Sequence, residues 1–299
     1  MAQVTADLVK QLREQTGVGM MECKKALTEN EGSIEKAVLW LRERGLSRAA
    51  SKSGRTTAEG SVGVLVSANG KEAVLVEMNC ETDFSAKNAD FVNFVSEITK
   101  LALSSKATSV ENLAAMSLNG TPVSEVLTSL IQKVGENMQL RRVKYLSVSN
   151  GLIAGYSHMG GKIGTLAVFE GEASEKVSEV AKDVAMHIAA VAPKYLKRED
   201  VPSSEVEMEK ELSRKKLIEE GKAADKLEMI LTGQVNKYFQ EICLVDQPFV
   251  KEQKFSVLKY VQSTGIKADL TAFARFQLGE GIERNQVDFA AEVAAQLKN

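Results

Sequence analysis

Apolar residues along the chain change their spacing several times, and each change marks an element. Leu8, Val9 and Leu12 lie on one helical face. Gly17 and Gly19 interrupt that pattern, because glycine permits a tight turn. A second helix is predicted from about Met20 to Leu27, followed by a turn at Asn30-Glu31-Gly32. Ser33 suits the N-cap of a third helix carrying Ile34, Ala37, Val38 and Leu41, expected to stop at Gly45. Over 42–60, Arg42, Arg44, Arg48, Lys52 and Arg55 stand among Ser, Ala and Gly. With no aromatic interleaved for base stacking, this run reads as a solvated linker rather than an RNA contact.

From residue 61 the period is two. Val62, Val64 and Val66 alternate, as do Val74, Val76 and Met78, with Asn69-Gly70 between them. That arrangement predicts a hairpin in which both turn residues take positive φ. After Thr82-Asp83-Phe84-Ser85 the period is helical again, with Phe91, Phe94, Val95, Ile98 and Leu101 in one stripe. Helices are expected at about 109–116 and 122–138, the latter with Pro122 in its first turn. Strands are expected at 143–148, 152–158 and 163–169, then a helix over 174–191 ending near Pro193. Hairpin followed by helix thus occurs twice, which suggests an internal duplication. Residues 203–220 and a returning arm with Leu227, Leu231, Val235, Tyr238 and Ile242 predict two antiparallel helices joined at Gly221. A strand over 270–278 and a final helix over about 285–298 complete the chain.

Composition adds exclusions. The 299 residues suggest about two domains. Hydrophobic residues make up 44% and the formal net charge is −2. That balance argues against a protein that coats nucleic acid or a membrane surface. Three cysteines, Cys23, Cys80 and Cys243, are odd in number and widely spaced, fitting neither a disulfide framework nor a zinc site. No apolar run approaches the ~18 residues of a membrane span. The first residues hold no apolar core of a signal peptide. A soluble, cytoplasmic protein is expected.

Catalytic chemistry finds little support. There are two histidines, His158 and His187. Neither lies in a zinc-protease spacing, and no G-x-S-x-G elbow is present. His187, in an alanine-rich helix, reads as a satisfied core or interface residue. Gly155 to Gly164 resembles a phosphate loop only superficially. Gly161 separates the glycine from Lys162, and Ile163 stands where Ser or Thr would ligate magnesium. It reads better as a glycine-rich turn between strands. No catalytic residue, bound nucleotide, metal or cofactor is expected. Read on composition alone, Thr82-Asp83-Phe84-Ser85 would be a helix start with Asp83 on the positive dipole end and Phe84 in the core.

The motifs change that reading. Leu12 to Leu27 (LREQTGVGMMECKKAL) and Glu77 to Asn88 (EMNCETDFSAKN) resemble the two signatures of the elongation factor Ts family. Gly135-Glu136-Asn137 with Arg141-Arg142, Tyr156-Ser157-His158 with Ile163-Gly164, Gln247-Pro248-Phe249-Val250, Gly279-Glu280-Gly281-Ile282-Glu283 and Asp288-Phe289-Ala290-Ala291-Glu292-Val293 continue the pattern in family order. Two positions depart from it: Ser85 stands where Val is usual, and Val18 where Ala is usual.

The resemblance implies an α+β fold. Residues 1–55 would be a ubiquitin-associated-like three-helix module with its linker, and 56–145 and 146–278 a two-part core with antiparallel sheets. An antiparallel coiled-coil hairpin would be inserted at about 200–242, and 279–299 would form a C-terminal helical module. It also implies a non-enzymatic guanine-nucleotide exchange factor for the GTPase elongation factor Tu. Thr82, Asp83, Phe84 and Ser85 would enter the partner and disturb its Mg²⁺ site, Phe84 as a wedge. His158 would be a further contact. Met20 and Met21 suit either a soft apolar contact or the module's own core. The hairpin leaves both a homodimer, or two-to-two complex, and simple partner contact open. Neither nucleic acid nor membrane is expected as a partner. On the residues alone, a scaffold without exchange activity is the rival reading, and it predicts no dependence on Phe84.

Overall fold

A computed structural model describes residues 4–220 and 224–283. The final helix expected over 285–298 and the turn at Gly221 lie outside the described residues. Helices and antiparallel sheets are mixed, an α+β fold, and the chain divides into two compact units. Among the described residues, unit 1 takes 4–63, 76–144 and 277–283, and unit 2 takes 64–75, 145–220 and 224–276.

Unit 1 opens with α1 (Ala6–Thr16), α2 (Met20–Glu29) and α3 (Ile34–Lys52). Thr5 and Ser33 cap α1 and α3, their hydroxyls accepting from Leu8 N and Lys36 N. Val9, Leu12, Val18, Cys23, Ala26, Leu27, Ala37 and Leu41 form one core. The third helix does not stop at Gly45. It runs on to Lys52, because a glycine's cost of about 1 kcal/mol inside a helix is offset by tertiary packing. A Cβ on Gly45 would stand 2.6 Å from Gln132 Oε1, and Gln132 Nε2 donates to Leu41 O at 3.2 Å. As far as Lys52 the basic run lies in α3 rather than in a linker, although Arg42 and Arg55 are solvated, at 57% and 56% side-chain exposure. Arg42 pairs with Glu125, Lys52 Nζ donates to Gly135 O, and Arg55 lies 3.5 Å from Glu81.

Next come β1 (Glu59–Val66), β2 (Glu72–Cys80), α4 (Asp83–Ala86) and α5 (Ala89–Ser104). The first hairpin has a longer turn than predicted. Gly70 takes φ +70 while Asn69 keeps negative φ, its Oδ1 accepting from Lys71 N and Ser67 Oγ. Then follow α6 (Val110–Ala115), the short pair β3 (Ser117–Leu118) and β4 (Thr121–Pro122), and α7 (Val123–Val134). Gly135, at φ +86, ends α7 short of the predicted 138. β5 (Met138–Ser147) returns beside β2 in a sheet of order β1-β2-β5.

In unit 2, β6 (Gly151–His158) and β7 (Ile163–Gly171) pair antiparallel, and α8 (Glu175–Val191) packs on them. Two helices then run back to back: α9 (Ser203–Glu219) and α10 (Ala224–Ile242). Glu205 accepts from Tyr238 Oη at 2.5 Å and Arg214 meets Glu228 at 2.8 Å, the register of an antiparallel pair. The sequence pattern missed β8 (Pro248–Phe249), β9 (Glu252–Ser256) and α11 (Val257–Ser263). β10 (Ala268–Gln277) then joins β7, giving the order β10-β7-β6. The core holds Phe169, Val177, Val184, Ile188, Phe249 and Val257, among others.

The two hairpins are built alike. Each leads into a helix, and a later strand pairs beside the hairpin's second strand. Gly60 and Gly151 occupy equivalent places, at φ +133 and +138. A Cβ there would stand 2.1 Å from Met78 O and 2.0 Å from Phe169 O. Gly70 and Gly161, Lys71 and Lys162, and Leu75 and Leu166 repeat at the same spacing. These matches support the duplication. One connection differs: residues 172–174 suffice to join β7 to α8, whereas 81–88 join β2 to α5 and contain α4.

Candidate functional site

That longer connection carries the candidate residues. Thr82 is extended, and its Oγ1 caps α4 by accepting from Ser85 N at 3.2 Å. Asp83 sits in the first turn, on the positive end of the backbone dipoles, and pairs with Lys87 Nζ at 2.7 Å. Ser85 is buried, and Phe84 is 81% exposed. The reading that placed Phe84 in the core is therefore overturned, while its placement of Asp83 is correct. A phenylalanine almost entirely in water contributes nothing to the fold's burial.

The turn is held from a second strand of chain. Thr82 N donates to Glu136 Oε2 at 3.0 Å and Thr82 Oγ1 to Glu136 Oε1 at 2.8 Å. In the reverse direction, Asn137 N donates to Glu81 Oε1 at 2.5 Å. Cys80 Sγ donates to Thr82 O at 3.1 Å. Glu136 was legible only as part of a family landmark. A carboxylate that acts across so long a sequence separation leaves no periodic signal.

Met20 and Met21, at the start of α2, are 54% and 75% exposed. They are not core of the three-helix bundle, where α2 contributes Cys23, Ala26 and Leu27. His158 lies in unit 2, at the end of β6, and is exposed. Its Nδ1 is 3.0 Å from Tyr156 Oη. The turn beyond it holds Met159, Gly160 and Gly161, all at positive φ, and leads straight into β7. The segment is thus a strand-to-strand turn, as read, and no helix follows to receive a phosphate. Met159, unremarked in the sequence, is strongly exposed beside His158.

His187 is buried and fully satisfied. Val250 N donates to its Nδ1 at 3.3 Å, so its Nε2–H donates to Gln247 Oε1 at 3.0 Å. Burial holds its pKa below the ordinary 6.5, opposed by the Gln247 bond. A second ring proton would face the Val250 N–H. The unfolded chain therefore takes up the proton first. His187 contributes its full stability above about pH 6.5 and loses it as pH falls toward the depressed folded value. Between pH 7.5 and 5.5 the wild-type urea midpoint should fall more than that of His187→Gln, by up to about 1 kcal/mol of stability. Parallel pH profiles would contradict this.

The three cysteines are buried, and burial pushes the Cys243 thiol up to about 11. Among the described residues no cluster of His, Cys, Asp and Glu could hold a metal ion, and no helix is long and apolar enough to cross a membrane.

A family profile described as Elongation factor TS matches residues 81–280. Three curated proteins named elongation factor Ts are similar over nearly the whole chain. That of Clostridium kluyveri is 48% identical, covering 99% of each chain. That of Clostridium perfringens is 47% identical, over 97% of this chain and 98% of its own. That of Clostridium botulinum is 44% identical, over 98% and 99%.

Proposed function

The chain belongs to the elongation factor Ts family, and on that footing we propose that it is a guanine-nucleotide exchange factor for elongation factor Tu. It binds the partner carrying GDP, speeds GDP release and leaves when GTP enters, in the cytoplasm. It performs no covalent chemistry and takes neither nucleic acid nor membrane as a partner. In the family's terms α1–α3 are the ubiquitin-associated-like module and α9–α10 the inserted coiled coil. The chain then divides at about 55, 145 and 278. The coiled coil serves either partner contact or a homodimer or two-to-two assembly.

The observation that carries the reading is Phe84: a large apolar side chain, 81% exposed, on a capped and clamped turn. A fold gains nothing from such an arrangement, whereas a binding surface does. Phe84 acts as a wedge near the partner's magnesium site, and Asp83 disturbs the ion's ligands. Met20, Met21 and His158 supply further contacts.

The physical logic requires only differential affinity. A factor that binds the nucleotide-free partner better than the GDP form shifts the population toward it. By linkage it weakens GDP by the same factor as GDP weakens it, tenfold for each ~1.4 kcal/mol of coupling. Dislodging Mg²⁺ leaves phosphate charge uncompensated, which lowers GDP affinity.

The test is stopped-flow release of a fluorescent GDP analogue from elongation factor Tu of the same organism, with and without this chain. Acceleration of roughly a hundredfold is expected, from a coupling of about 3 kcal/mol at the upper end of the ordinary range. An unchanged release rate would sink the proposal.

A further inference from the structure

The functional reading explains why Phe84 is exposed but not what keeps it in place. Its side chain makes almost no burial of its own, and α4 has only four residues. A single helical turn does not persist in water unaided. The wedge must therefore be positioned through its backbone.

We propose that Glu136 is the positioning residue for the Phe84 wedge, acting through Thr82. This rests on the exchange reading above and deepens it. Glu136 takes both protons of Thr82, backbone N–H at 3.0 Å and hydroxyl at 2.8 Å. Committing the hydroxyl proton to the carboxylate leaves the hydroxyl oxygen's lone pairs free for the Ser85 N–H, 3.2 Å away. One carboxylate thus fixes the N-cap, the N-cap fixes the turn, and Phe84 lies between the two bonded residues.

The clamp is reciprocal. Glu81 accepts the Asn137 N–H at 2.5 Å while Glu136 accepts the Thr82 N–H. Two adjacent residues on each segment are laced to two on the other. Asn137 Nδ2 donates to Arg55 O at 2.9 Å, and Arg55 lies 3.5 Å from Glu81. Gly135, whose left-handed turn presents Glu136, has its own carbonyl taken by Lys52 Nζ. The end of α3 and the end of α7 together hold the carboxylate that holds the turn.

Pre-organisation enters binding as the fraction of molecules with the wedge in its binding-competent position. Two hydrogen bonds to a charged acceptor are at stake, and their loss lowers that fraction by about tenfold or more. Glu136→Gln keeps the shape and one acceptor but loses the charge and the partner for the Thr82 hydroxyl proton. It should fall between wild type and Glu136→Ala.

Two measurements decide the proposal. In stopped-flow GDP release, Glu136→Ala should slow the stimulated rate about tenfold or more, and Glu136→Gln less. In a background lacking both side chains, Asp83→Ala with Phe84→Ala, the same change should cost under about twofold, because neither remains to be positioned. Equal slowing in both backgrounds would overturn the positioning role. Independently, amide hydrogen exchange in the free chain should show Thr82 and Ser85 losing protection in Glu136→Ala while Ile98, in the α5 core, keeps its own. Unchanged protection at Thr82 and Ser85 would overturn the clamp. A wild-type chain that fails to accelerate release would remove the exchange reading and the positioning role with it, leaving the clamp to be judged by the amide measurement.

Discussion

Phe84→Ala is expected to slow stimulated GDP release by about 30-fold or more while leaving the stability of the free chain within about 0.5 kcal/mol of wild type. The first figure follows from the cost of truncating a central aromatic at an interface, about 2 kcal/mol or more, at tenfold for each ~1.4 kcal/mol. The second follows from geometry. The ring is 81% exposed, so its removal opens no cavity and frees no polar partner. The cap that shapes the turn is made by Thr82 Oγ1 and Ser85 N, which the substitution leaves intact. The two readouts therefore separate, as they would not for a core residue. Stopped-flow release and urea denaturation of the same variant make the comparison. Release slowed by less than about twofold would move the wedge elsewhere, with His158 and the neighbouring Met159 the next contacts to test. A loss of several kcal/mol in stability would mean that Phe84 supports the fold.

Elements that bury a regular face were legible in the sequence, and those held by distant polar bonds were not. The alternation through Val62, Val64 and Val66 and through Val74, Val76 and Met78 gave the first hairpin, and the stripe Phe91, Phe94, Val95, Ile98 gave α5. Glycines were read less well, because one residue type serves several purposes. Gly45 looked like a helix stop and is a place of close approach to Gln132; Gly135 was passed over and does end a helix. The pairs β3–β4 and β8–β9 are too short to show a period, and α11 is little longer. At the candidate site, composition pointed the wrong way for Phe84, since a lone phenylalanine beside a helix start is usually core. Only the motif pointed outward. Glu136, Glu77 and Asn137 carried no periodic signal, because each acts on partners far away in sequence. The family landmarks Arg141-Arg142 and Gly279-Glu280-Gly281 turn out to meet at one of these residues.

Glu77→Ala is expected to lower the stability of the chain by about 3 kcal/mol. Glu77 lies in β2 and its side chain is wholly buried. Arg141 Nη1 donates to Oε1 at 3.0 Å, Arg142 Nε donates to Oε2, and the backbone N–H of Gly279 donates to Oε1 at 2.9 Å. The arginines in turn reach the returning segment. Arg141 Nη2 donates to Glu280 O at 2.5 Å, and Arg142 Nη2 to Gln277 O at 3.0 Å. A single carboxylate thus joins β2, β5 and residues 277–280 within unit 1. Removing it takes the shared anion from two guanidinium groups, of which Arg142 keeps the Glu280 carboxylate at 3.2 Å, and leaves the Gly279 N–H without an acceptor. Buried pairs broken on one side cost about 3–5 kcal/mol. The arginines keep 22% and 28% side-chain exposure, so water relieves part of the loss and the lower end applies. Glu77→Gln, which retains an acceptor and the shape, should cost about half as much. Urea denaturation measures the difference, and amide exchange at Gly279 locates it, since that proton loses its acceptor in Glu77→Ala. A change below about 0.5 kcal/mol, the range of an ordinary surface substitution, would mean that the network contributes no net stability. The outcome also bears on the wedge. Glu77 lies in β2 and Thr82 two residues beyond that strand's end at Cys80, so a register held at Glu77 is what delivers Thr82 to Glu136. Glu77→Ala should therefore reduce amide protection at Thr82 as well, whereas Glu136→Ala should leave Gly279 untouched.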